Sequence, residues 1–174
     1  MRAGLRFRAG VAAAILGLLP VAAGAEGWAL VDPAPGRADV ARRIEIQSTA
    51  PLPCGMFQPR PAVLSVACLG PTVSVTLETT CILAPLGGAD TLLRYRLDAG
   101  GESLRRFRLI GGGRSLQLAE AAEAEPFLAE LLTAERLSVQ VPAANRVESP
   151  ADFPLSGFEP ALVGLRAACG GEAG

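Results

Sequence analysis

The chain has 174 residues, half of them apolar and 19% charged, which suits one ordinary folded domain and excludes disorder driven by excess charge. It holds no His and no Lys, so all sixteen basic residues are Arg, and His-based triads, His-bound zinc and His pH switches are excluded. One Trp, one Tyr, six Phe and a pI near 5.6 argue against a surface for nucleic acid.

Residues 1–25 read as a secretory signal peptide. Arg2, Arg6 and Arg8 supply the positive start, Val11 to Leu19 the apolar stretch, and Ala23-Gly24-Ala25 a small-x-small cleavage site before Glu26. The uncharged run from Ala9 to Ala25 is 17 residues, short of the roughly 20 that a spanning helix prefers. No Arg-Arg pair precedes it, which points to the general secretory route rather than the twin-arginine route. Cleavage would leave thirteen Arg against seventeen acids, so the expected mature protein is acidic, periplasmic and not integral to a membrane.

An oxidising destination turns the four cysteines into candidate disulfides. Cys54, Cys68, Cys81 and Cys169 form an even set with no C-x-x-C pair, which disfavours zinc and redox motifs.

Along the chain, residues 26–61 form a Pro-rich lead-in with little periodicity, in which Val40 to Ser48 is a short strand or a helical turn. From Ala62 the pattern alternates. Leu64, Val66 and Cys68 share one face, Gly70-Pro71 turns the chain, and Val73, Val75 and Leu77 form the next half-buried strand. Folding about that turn sets Cys68 beside Val73 and Val66 beside Val75. Two strands follow, Leu93-Tyr95-Leu97 and Phe107-Leu109, joined by Gly100-Gly101, and then a Gly111–Gly113 turn and a strand from Ser115 to Leu118. This predicts a meander with one wet face. Arg94, Arg96, Arg106 and Arg108 make an arginine stripe there, read first as solvated or ion-paired, with a partner-facing or anion-facing role as the alternative. A helix with the apolar stripe Phe127, Leu128, Leu131 and Leu132 comes next, with Pro126 in its first turn. Arg136 to Pro142 reads as a strand, Val147 to Asp152 as a loop, and Phe153 to Leu155 as a short extended piece. In the last helix Ser156 and Glu159 match a capping box, Phe158, Leu162, Leu165 and Cys169 share the core face, and Gly170-Gly171 ends it.

Four cysteines allow three pairings. Cys81 falls at the open end of the Gly70-Pro71 hairpin, near the lead-in that carries Cys54. Cys68 points inward near the turn, where a packed terminal helix can offer Cys169. The preferred scheme is therefore Cys54–Cys81 and Cys68–Cys169.

No phosphate loop, dinucleotide fingerprint or nucleophile elbow is present. Gly111-Gly-Gly-Arg-Ser115 reads as a turn rather than an anion cradle, and Glu120, Glu123 and Glu125 as acids favouring a helix start. No internal repeat is evident. No catalytic residue, metal or cofactor is expected.

Pro61-Ala-Val-Leu-Ser-Val-Ala-Cys68 followed by Thr72-Val-Ser-Val resembles the first strand pair of the TagO/VasI family, exported accessory proteins associated with bacterial type VI secretion. Arg94-Tyr-Arg-Leu-Asp98 is similar to a further strand of that family. The stretch from Phe127 to Leu137, Phe153-Pro-Leu-Ser-Gly157 and Leu165 to Gly170 resemble its C-terminal block. The chain departs from it at Phe107 and Gly171, where the family shows Trp, and Cys54 and Cys81 lie outside the shared pattern. In such proteins Cys68 and the terminal Cys are the shared pair, so the resemblance implies Cys68–Cys169 independently.

The expected fold is mainly β (α+β): an antiparallel sheet or sandwich with two short helices packed on it, the last disulfide-tethered. One domain spans residues 62–170, and residues 171–174 are a tail. The expected function is a non-enzymatic periplasmic accessory or interaction protein of a type VI secretion system, with a binding module or inhibitor of a cell-wall hydrolase as the alternative. Expected partners are proteins, either secretion-apparatus components or cell-wall enzymes, and not nucleic acid.

Overall fold

Strict alternation builds most of this molecule. In the strand Thr72–Glu78 the side chains of Val73, Val75 and Leu77 are buried while Thr72 and Glu78 are exposed. The computed structural model describes residues 27–32, 41–54, 58–69, 72–84, 90–144 and 148–170. The expected leader, the Gly70-Pro71 turn and the tail lie outside the described residues.

Nine strands are described: β1 (Ala29–Val31), β2 (Arg43–Leu52), β3 (Arg60–Leu69), β4 (Thr72–Glu78), β5 (Asp90–Leu97), β6 (Glu102–Ile110), β7 (Ser115–Leu118), β8 (Arg136–Pro142) and β9 (Glu148–Pro154). They form one sheet in the order β1-β2-β3-β4-β7-β6-β5-β8-β9. Every neighbouring pair is antiparallel. The sheet curls until β9 lies beside β2, Cα atoms within 8 Å, with no ladder joining them. Its inner face is one continuous apolar core that includes Ile44, Leu64, Val75, Leu116, Phe107, Leu137 and Phe153. Helices α1 (Ala124–Leu131) and α2 (Phe158–Gly170) pack against this sheet, α1 through Phe127, Leu128 and Leu131 and α2 through Phe158, Leu162 and Leu165. Arg166 of α2 donates to Glu125 of α1, which ties the helices to each other.

Both expected disulfides are present. Cys54–Cys81 joins Cα atoms 4.8 Å apart and Cys68–Cys169 joins Cα atoms 5.8 Å apart. The expected hairpin register holds, with Cys68 opposite Val73 and Val66 opposite Val75. The second bond fixes the end of α2 to β3.

Four elements differ from the sequence reading. The sheet starts before residue 62, because β2 is a full ten-residue strand that buries Ile44, Ile46 and Leu52. Its period breaks between Gln47 and Pro51, where the register shifts. Buried Ser48 serves that irregularity by accepting from the Ala62 amide at 2.9 Å and donating to the Ala50 carbonyl at 2.8 Å. Residues 148–152, read as loop, belong to β9. Pro150 is tolerated because β9 is the terminal strand of the ladder, where no further neighbour needs its amide. Helix α2 begins at Phe158, so the position before it is Gly157, at φ +78°, and Ser156 is not the cap. Leu132 lies past the end of α1 and is exposed, because its position turns away from the stripe that Phe127, Leu128 and Leu131 bury.

Asp98 locks the far end of β5. It sits at φ +50°, and its Oδ1 accepts the amides of Glu135 and Arg136 at 3.0 and 2.9 Å. Gly100 follows because a Cβ there would meet the Leu97 carbonyl oxygen at 2.9 Å.

Candidate interaction surface

The arginine stripe is assembled as expected, on the outer face of the β5–β6 pair. Across the two strands Asp90 opposes Arg108, Leu92 opposes Arg106, Arg94 opposes Leu104 and Arg96 opposes Glu102. Arg94, Arg96, Arg106 and Arg108 therefore share one face. Arg108 donates to Asp90 at 3.2 Å, and Arg106 approaches Glu120 at 4.0 Å with both side chains more than half exposed. Pairs this exposed contribute at most about 1 kcal/mol.

The sequence reading missed the two leucines in the middle of this face. Leu92 is 60% exposed and Leu104 is 57% exposed. They are diagonal neighbours across the pair, within reach of one another. The aliphatic stems of the flanking arginines widen the apolar patch. Leu92, Leu104 and Arg106 also line an open groove of about 340 Å³ whose other wall includes Glu120 and Glu123.

A signal for this arrangement exists in the sequence. Asp90-Thr-Leu-Leu-Arg-Tyr-Arg-Leu97 and Glu102-Ser-Leu-Arg-Arg-Phe-Arg-Leu109 share the pattern acid-x-Leu-x-Arg-aromatic-Arg-Leu. This corrects the reading that no repeat is evident. Two copies of one pattern on antiparallel neighbours produce a face with approximate two-fold symmetry. A half-turn about an axis normal to the sheet exchanges Asp90 with Glu102, Leu92 with Leu104, Arg94 with Arg106, and Arg96 with Arg108.

The inner face of the same two strands carries the other half of the repeat. Tyr95 and Phe107 both meet Phe127 of α1 edge-on, with ring centroids at 5.4 and 6.4 Å. Tyr95 donates to Glu130 at 2.6 Å. Burial, then the Glu130 carboxylate, raises the Tyr95 pKa above its ordinary value. Arg105 replaces the apolar residue that Leu93 supplies in the other copy. Its guanidinium lies 5.0 Å from the Phe127 ring centroid, and it donates to Glu130 at 2.7 Å and to Glu123 at 3.4 Å. Its Nε is buried without a hydrogen-bond partner. This cluster clamps α1 to the sheet.

Cys54, Cys81, Cys68 and Cys169 lie in the two staples, and none is free. Among the described residues no group of acids and cysteines is placed to hold a metal ion. Also among them, no helix is long and apolar enough to cross a membrane.

No protein-family model matches the chain, and no curated protein matches it. Solved structures that match include the crystal structure of invasion associated protein B from Bartonella henselae. That likeness has a TM-score of 0.52 and 19% identity over 81% of this chain and 92% of that chain. At such identity the likeness speaks for the fold alone and does not bear on the TagO/VasI resemblance.

Proposed function

We propose that the chain is an exported, disulfide-stapled interaction module that works without chemistry of its own and presents the outer β5–β6 face to a protein partner. The observation that carries this reading is the exposed Leu92–Leu104 pair framed by four arginines on a stapled sheet. A wet sheet face gains nothing for folding from two exposed leucines, and a rigid scaffold binds with a small ordering cost. Export to the periplasm is supported by the leader pattern of residues 1–25 and by the two disulfides, which persist in oxidising compartments. The TagO/VasI resemblance supports placing the module beside a type VI secretion apparatus.

A photo-crosslinking residue at position 92 or 104, in the producing cell, tests the reading. The expected result is a discrete adduct with one envelope protein from either position, on a chain that carries no free thiol. A cytosolic, reduced chain with no adduct overturns it. Deletion of the gene should lower contractile secretion. Unchanged secretion removes the type VI assignment, and an adduct with a cell-wall hydrolase moves the module to the inhibitor role.

A further inference from the structure

Beside its outer face, the β5–β6 hairpin has a free strand edge. We propose that the edge of β6 beyond the end of β7 pairs with the same edge of a second copy of this chain, antiparallel and centred on Ser103. Such pairing joins two sheets side by side, leaves the outer face open, and is independent of the partner proposed for that face.

β7 lies beside β6 only from Phe107 to Ile110. The Ala119 amide then donates to the Arg106 carbonyl at 3.1 Å, and among the described residues no strand continues the ladder along residues 102–105. Strand parity turns the backbone groups of Glu102 and Leu104 to the same side as that Arg106 carbonyl. Unpaired edges recruit strands. The outward edge of β9 is blunted by Pro150 and Pro154, whereas the β6 edge carries no proline. It borders the open groove of about 340 Å³ beside Leu104, which gives an incoming strand room.

Centred on Ser103, this edge complements itself. Glu102 opposes Leu104 of the second copy, and each such pair exchanges both backbone hydrogen bonds. Arg105 opposes Gly101 of the second copy, so no side chain presses on the Arg105–Glu123 contact. The second copy turns away at Gly100-Gly101, where Ala119 takes over the edge. On the outer face Glu102 falls diagonal to Arg106 of the second copy, and the two Leu104 side chains fall diagonal to each other. That contact covers part of a leucine that is 57% exposed in the single chain. Charge does not oppose the pairing. The outer face and its groove set Asp90, Glu102, Glu120 and Glu123 against Arg94, Arg96, Arg106 and Arg108, a balance that lets the surface approach its own copy.

The test is sedimentation velocity on the oxidised protein. A monomer at about 10 µM and a growing dimer towards about 1 mM are expected, because so short a contact places half-association on the order of 100 µM. Ser103→Cys should yield a disulfide-linked dimer under mild oxidation, since residues opposed in a non-hydrogen-bonded pair have Cα atoms about 4.5 Å apart. The native cysteines are all bonded and stay out of that reaction. Glu159→Cys, exposed on α2, should remain monomeric. Ser103 is exposed in the single chain, so Ser103→Glu should keep the fold, set like charges opposite one another and weaken association about fivefold.

A monomer throughout that range overturns the proposal. A dimer that Ser103→Glu leaves unchanged does the same, as does crosslinking of Glu159→Cys as readily as Ser103→Cys, because association then runs through another surface. A photo-crosslinking residue at position 103 that captures another protein in the producing cell, and no second copy, replaces the proposal with a foreign strand on this edge. The outer-face reading is decided separately. An envelope-protein adduct from position 92 on a chain that stays monomeric removes only the dimer, and a dimer without that adduct removes only the partner.

Discussion

Arg105 and Arg106 are sequence neighbours with opposite fates. Arg105 points to the inner face, is 12% exposed, stacks on Phe127 and is held by Glu130. Arg106 points outward, is 58% exposed, and has a single distant acid at 4.0 Å. The same side chain is a structural bolt on one face and a solvent-facing group on the other. The difference lies in what covers each face: α1 spans the inside, while no described helix packs on the outside. Perturbing the inside should therefore cost stability, and perturbing the outside should cost binding.

The largest effect should come from the staple that holds α2 against the sheet. Replacing Cys68 and Cys169 together removes a closure over 101 residues and is expected to destabilise by about 4–5 kcal/mol, read by denaturant unfolding. Replacing Cys54 and Cys81, separated by 27 residues, should cost about 3–4 kcal/mol. Glu130→Ala comes next, because it strips Tyr95 of its acceptor and Arg105 of its closer acid. Glu130 is partly exposed, so about 2 kcal/mol is expected in the same assay. Tyr95→Phe should cost about 1 kcal/mol and change the pH profile. The fold holds the neutral phenol, so that contribution is complete below the ordinary pKa of about 10. It is lost as pH rises through the raised native value, and Phe should erase this alkaline decline. At the small end, Arg106→Ala and Arg108→Ala should each shift stability by less than about 0.5 kcal/mol. A loss at Arg106 comparable to that at Glu130 would break the contrast between the two faces.

Much of this fold was legible because alternation is a local signal. Val73, Val75 and Leu77 name their own face, and once β3 and β4 are folded together the inward parity of Cys68 and Cys81 separates the two disulfides. Three features were not legible by that route. In β2 the register shift around Ser48 interrupts the period, and prolines at 51 and 53 imitate a loop. In β9, Glu148-Ser-Pro-Ala-Asp152 lacks apolar alternation, and the strand exists because β8 supplies its partners. Ser138 donating to Asp152 across that pair is a contact with no sequence signature. The arginine stripe was read from the sequence, whereas its leucine centre was passed over although the shared acid-x-Leu pattern carries it. Single exposed leucines are ordinary, and only the β5–β6 register makes Leu92 and Leu104 adjacent.

The connectivity of the staples sets an order of events for the newborn chain. Thiols that enter an oxidising compartment in sequence order appear as Cys54, Cys68, Cys81 and Cys169. Oxidation on arrival would couple neighbours, Cys54 to Cys68 and Cys81 to Cys169. The folded molecule instead joins first to third and second to fourth, as interlocked loops. Correct bonding thus requires that the β3–β4 hairpin form before its thiols react, or that a disulfide isomerase undo the first choice. A cell lacking that isomerase should accumulate mispaired chain to the extent that oxidation outruns the hairpin.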